Sequence, residues 1–164
     1  MSTLSIDSLA PALVLKTVEG RTFPLDLPHD ERPSVLAFYK VSCPVCQFTF
    51  PYLERIYQAH QGSPLRFIGI SQDKESDTRI FQQKFGFTFP TLLDPAPLYA
   101  ASNAFGLTTV PSIFLIENGK VTLAAVGWEK AEMEKLNRRL AELQALPPKA
   151  LFLAAEQIPA SRPG

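Results

Sequence analysis

The sequence predicts an α/β domain with a central mixed sheet flanked by helices. Three observations carry this. Two short apolar runs, Ser34–Tyr39 and Leu65–Ile70, read as strands buried on both faces, with a stretch of helical spacing between them. A later pair of apolar runs flanks Asn118-Gly119, the strongest short-range hairpin signal. Amphipathic segments are interleaved with these runs, so helix and strand alternate along the chain. At 164 residues the length suits one domain with a core of its own.

The elements follow in order. Leu13 to Thr17 and Arg21 to Leu25 read as an extra N-terminal hairpin around Glu19-Gly20. After the strand Ser34–Tyr39, Pro44 suits a first helical turn, where its missing N–H is no loss. Gln47 to Gln61 reads as the helix, with Phe48, Tyr52, Ile56 and Ala59 turned inward and Glu54, Arg55 and Gln58 toward water. Pro51 should kink it, and Gly62 and Pro64 should end it. Leu65–Ile70 is the second strand, expected to join the first by a right-handed crossover. Asp77 to Phe85 is an inserted polar helix with Ile80, Phe81 and Phe85 as its apolar stripe. Phe89 to Leu93 is extended, and Leu98 to Phe105 is a short helix closed by Gly106. Ile113–Ile116 and Val121–Val126 are the hairpin arms. Lys130 to Leu146 is a last helix, with Met133, Leu136, Leu140 and Leu143 on one face. Phe38, Phe48, Phe67, Phe81 and Phe114 fall on apolar faces and belong to the core. Residues 1–146 thus make the domain. Residues 147–164 form a proline-containing tail that lies on the domain or docks on a second subunit.

Sixteen Lys plus Arg balance sixteen Asp plus Glu, so there is no basic footprint for nucleic acid. No run approaches the ~18 apolar residues of a membrane helix. Neither nucleic acid nor membrane is an expected partner. The segment from Met1 to Asp7 lacks an early Lys or Arg, and Pro11 breaks the apolar stretch after it, unlike a secretory signal. Cytoplasmic residence, with reduced thiols, is expected; extracytoplasmic residence is the alternative if a signal has been removed.

Cys43 and Cys46 are the only cysteines, spaced as Cys-Pro-Val-Cys. A structural zinc site wants about four ligands, and His29 and His60 are distant in sequence and expected at the surface. No metal and no cofactor is expected. Gln47 stands where haem attachment needs His. What remains is a dithiol that can close on itself. At the strand-to-helix corner, Cys43 faces unpaired N–H groups and the positive end of the helix dipole, which favour a thiolate. Cys46, one turn further in, should be more buried. Cys43 would attack a disulfide, and Cys46 would then attack Cys43 and release the reduced product.

Cys43-Pro44-Val45-Cys46 after a buried strand, Pro51 five positions later, and Thr109-Val110-Pro111 just before Ile113–Ile116 together resemble the thioredoxin-like superfamily, over about residues 10–145. Ala10-Pro11 with the extra hairpin, Gly69–Asp73 followed by an inserted helix, and Phe89–Asp94 are similar to TlpA-like thiol-disulfide oxidoreductases and their peroxiredoxin-related cousins. The resemblance implies a thioredoxin-like fold and a cis bond before Pro111. It also implies that Thr109, Val110 and Pro111 lie beside the dithiol, with the residue before the proline offering its backbone to an extended substrate. The implied partners are a protein or small-molecule disulfide or dithiol and a separate redox partner; no oligomeric state is indicated.

The chain departs from the pattern in three places. Ser42 stands where relatives often carry Trp, Ala37 where thioredoxins hold a buried Asp, and Thr49 where some relatives use Glu. No obvious carboxylate therefore serves Cys46, and water, Lys40 or Thr49 is left to do so. Val45 brings no charge between the cysteines, which argues for a reductase over a strong oxidant. Three other functions compete with this one. A thiol peroxidase usually has Thr or Ser three residues before its cysteine and Pro four before that; here those positions are Cys43 and Tyr39, or Lys40 and Leu36. A copper chaperone on this fold spaces its cysteines one residue wider and adds a distant His. A non-catalytic interaction protein has no need of an intact dithiol. Trp128 either shields the dithiol or packs on the last helix.

Overall fold

Apolar residues on both sides of a strand force it into the middle of a sheet, and Ser34–Tyr39 is buried along its whole length. In the computed structural model, which describes residues 3–61 and 64–164, this strand is central; Gly62 lies outside the described residues. The elements are β1 (Leu13–Thr17), β2 (Thr22–Leu25), β3 (Ser34–Tyr39), α1 (Pro44–Ala59), β4 (Arg66–Ser71), α2 (Glu75–Phe85), β5 (Thr91–Leu93), α3 (Ala100–Ala104), β6 (Ser112–Glu117), β7 (Lys120–Val126), β8 (Trp128–Glu129), α4 (Lys130–Leu143) and β9 (Ser161–Arg162). Seven strands form one mixed sheet in the order β2-β1-β5-β4-β3-β6-β7. β3 runs parallel to β4, and β4 to β5, while β6 is antiparallel to β3 and β7.

Alternation along β3 sorts its side chains into two cores. Val35, Ala37 and Tyr39 join Phe50, Leu53, Phe81, Phe89, Trp128 and Leu136 on one face. Leu36 and Phe38 join Leu25, Leu92, Phe105 and Phe114 on the other. The β6–β7 turn is Asn118-Gly119, both at positive φ, the backbone that a tight hairpin requires.

Several expectations are corrected. α1 begins at Pro44 rather than Gln47 and ends at Ala59. Its buried residues include Cys46, Thr49, Phe50, Leu53 and Ile56, whereas Phe48 and Tyr52 are only half-buried. The helix has a second apolar face, and the C-terminal tail covers it. Ile80 is 62% exposed, because α2 packs through Thr78 and Phe81 and leaves position 80 off that line. α4 stops at Leu143, and Leu143 itself is exposed. His60 is buried, not superficial: its ring meets Asn137 and Gln144 of the α4 region at 3.3 and 2.9 Å.

The tail folds back on the domain. Arg55 grips Glu156 through two hydrogen bonds of 2.7 and 2.9 Å. The Asn137 amide donates to Lys149 O, and Trp128 Nε1 donates to Pro159 O. Trp128 is fully buried, with the Phe48 ring centroid 4.9 Å from its own and Phe152 on the tail side. It therefore packs between α1 and the tail. β9 pairs with β8 beside it.

Candidate active site

The β3-to-α1 corner places Cys43 as the N-cap of α1, and its sulfur accepts the N–H of Cys46 at 3.1 Å. Pro44, exposed at the first turn, leaves that N-terminus with one donor fewer to satisfy. Both cysteines are free thiols; Cys43 is half-buried and Cys46 is 0% exposed. Burial pushes the Cys46 thiol far above its ordinary range, and its hydrogen bond with Cys43 adds to the effect. The two sulfurs thus sit in opposite environments one helical turn apart. The outer one lies half-buried at the N-terminus of α1; burial of the inner one favours its thiol form.

The loop before β6 closes the site. The bond between Val110 and Pro111 is cis. The Cys43 thiol points at the Val110 carbonyl, 3.6 Å away. Ser112 Oγ donates to Thr109 O, and Gly127 N–H donates to Pro111 O, so both ends of the loop are tied. Neither the N–H nor the carbonyl of Val110 is taken by another backbone group among the described residues. Cys43, Lys40, Gln72, Ser102, Thr109 and Val110 border a hollow of about 530 Å³. The structure thereby brings together Cys43, Cys46, Thr109, Val110 and Pro111.

Two carboxylates at the site were not singled out from the sequence. Asp73 accepts the Val41 N–H at 2.8 Å, and Gln47 donates to Val41 O at 2.9 Å, which fixes the loop leading into Cys43. Asp94, 1% exposed, accepts from Ala101 N, Ser102 N and Ser102 Oγ at 2.8, 2.8 and 2.6 Å. That anchors α3, whose Ser102 and Asn103 line the far wall of the hollow. The signal available was weak: each Asp follows a buried strand, where loops carry function. Of the groups considered for Cys46, Thr49 is buried and donates to Val45 O at 2.7 Å, and Lys40 is exposed at the hollow. Ala37 lies in the same core as Cys46, so the place of the usual Asp is apolar. Among the described residues, no three His, Cys, Asp or Glu gather where a metal could bind.

The comparisons with known proteins agree with this geometry. The chain is 25% identical over 115 residues to a thioredoxin-like protein of Haemophilus influenzae, covering 70% of this chain and 66% of that one, so it spans about two thirds of that relative's length. It is 26% identical over 131 residues to the sporulation thiol-disulfide oxidoreductase A of Bacillus subtilis, covering 76% and 77%. The thioredoxin domain of a thiol-disulfide oxidoreductase from Bacteroides vulgatus superposes with a TM-score of 0.70 at 19% identity, over 83% of this chain and 97% of that one, which shows the shared fold. Fold and dithiol together define a thiol-disulfide oxidoreductase of thioredoxin-like architecture. The AhpC/TSA family model matches residues 6–124, and the chain belongs to that family. Such an enzyme exchanges disulfides with a substrate and a redox partner. Among the described residues, no helix is long and apolar enough to cross a membrane.

Proposed function

We propose that this protein reduces disulfides in an extended polypeptide client, with Cys43 as the attacking thiolate and Cys46 as the resolving thiol. The observation that carries the reading is the contrast between the sulfurs. Cys43 caps α1 at the edge of the hollow, and Cys46 is fully buried directly behind it. The Cys43 thiolate attacks one client sulfur, and the other client sulfur leaves as a thiolate. Cys46 then gives up its proton and attacks Cys43, which expels the remaining client sulfur and closes the Cys43–Cys46 disulfide. Two electrons pass from the protein to the client, and a separate dithiol partner returns them. The N–H and carbonyl of Val110, neither held by another backbone group among the described residues, offer an extended client strand its backbone partners, the carbonyl giving up its contact with the Cys43 thiol to do so.

The direction rests on what lies around the pair. Pro44 and Val45 bring no charge, and nothing between the cysteines selectively stabilises the reduced form. Cytoplasmic residence goes with this direction and is part of the same proposal. Equilibration of the pair against a glutathione series tests it. A potential near thioredoxin's ~−270 mV supports a reductase, and one near ~−120 mV overturns the direction and the compartment together.

A further inference from the structure

The residues after Ala160 have no place in the exchange chemistry, yet they lie against it. Lys130 N–H donates to Ala160 O at 2.9 Å, and β9 continues from there, pairing Ser161 with Glu129 and Arg162 with Trp128. The Arg162 guanidinium lies 4.9 Å from the centroid of the Phe48 ring, just past the dithiol on α1. The strand then passes Gly127, where a Cβ would meet Arg162 O at 2.8 Å and Gly164 N at 3.1 Å. It ends with Gly164 against the Val110 carbonyl, so close that any side chain at position 164 would collide with that oxygen. Gly164 lines the same hollow as Cys43.

The geometry points to a strap: residues 161–164 occupy the Val110 side of the Cys43 groove and must lift before a protein client can bind there. This rests on the proposed role of Cys43 and Val110. The strap fills the groove only in part, since Cys43 stays half-buried rather than sealed. Its hold is light. Among the described residues, two residue pairs of β8–β9, one arginine-aromatic contact and the packing of Gly164 beside Val110 and Gly127 keep it down, and Ser161, Pro163 and Gly164 are exposed. Segments with so few buried contacts open locally at small free-energy cost. Small disulfides would reach Cys43 past the strap, and bulky ones would compete with it. The covering is intramolecular, so it acts at a high effective concentration without consuming a partner.

The test compares the full chain with a variant lacking residues 161–164 and with Arg162→Ala, all reduced. Cys43 is labelled with iodoacetamide and with a maleimide carrying a 5-kDa polyethylene glycol as a bulky probe; insulin reduction is followed in parallel. The strap predicts that both variants react about fivefold faster with the bulky maleimide and with insulin, with iodoacetamide rates unchanged within about twofold. Equal rates with the bulky maleimide in all three proteins overturn the strap. Slower insulin reduction in the variants also overturns it, because the segment would then be part of the client surface. Because labelling needs no turnover, a chain that fails to reduce insulin defeats the proposed function and still leaves the strap decided.

Discussion

Asp94→Ala should unfold the wall of the active site from behind. The carboxylate is 1% exposed and accepts three hydrogen bonds of 2.6 to 2.8 Å from the first turn of α3. Alanine leaves two backbone N–H groups and a hydroxyl buried without acceptors. A hydrogen bond to a charged group nets about 1.5–3 kcal/mol. The three share one carboxylate, and removing it also relieves its own desolvation, so the sum is about 3–4 kcal/mol rather than three full bonds. For a chain of this size that lowers Tm by roughly 10 °C. Urea and thermal unfolding of the reduced protein read this directly. Asp94→Asn keeps one good acceptor and should lose about half as much. Cys43 labelling below the transition should also change, because Ser102 and Asn103 face the same hollow. A loss under about 1 kcal/mol for Asp94→Ala would refute the reasoning, since it would mean that water replaces the carboxylate without penalty.

Two further outcomes follow from the titrating groups. Arg55 holds the Glu156 carboxyl at about 2, below its ordinary 4.5, so the contact is present above pH 4.5 and is lost as pH falls toward 2. Trp128 is the only tryptophan and is bonded to Pro159 O, so its emission should shift to longer wavelength in that window, and Glu156→Gln should give part of the same shift at neutral pH; an unchanged spectrum in both would count against a tail held by this pair. Burial raises the Cys46 thiol, so its thiolate fraction grows about tenfold per pH unit through the neutral range. The ring-closure step, isolated by stopped flow on a preformed mixed disulfide, should rise with that slope from pH 6 to 9, and a plateau near pH 7 would show a local base for Cys46.

Much of this fold is legible in the sequence because period and punctuation agree. The short apolar run Ser34–Tyr39 fits a strand buried on both faces, as the structure has it, and Asn118-Gly119 marks its hairpin through the positive φ that both residues adopt. The cysteine pair is legible for a different reason: its spacing after a strand places one sulfur at the helix N-terminus and the other deeper, and the structure has them half-buried and buried. Helix faces were read less well. The helical spacing of Phe48, Tyr52, Ile56 and Ala59 predicts one inward face, but α1 carries two apolar faces and local periodicity does not say which one meets the sheet. Nothing near His60 in the sequence marks it as buried; its partners, Asn137 and Gln144, come from the far end of the chain. Asp73 and Asp94 are only weakly marked in the sequence for the same reason, since a carboxylate acquires its role only when the donors it serves are brought to it. The tail is the extreme case. Its docking depends on Arg55 of α1 and on Gly127 and Trp128 at the start of β8, segments far apart in the chain.

The most direct test of the account is to incubate reduced Cys46→Ser and Cys43→Ser variants with a disulfide-containing peptide and weigh the products by mass spectrometry. The account predicts a stable mixed disulfide through Cys43 in Cys46→Ser and almost none in Cys43→Ser, whose remaining thiol is buried. A mixed disulfide through Cys46 would reverse the roles, and its absence from both variants would contradict exchange chemistry at this pair.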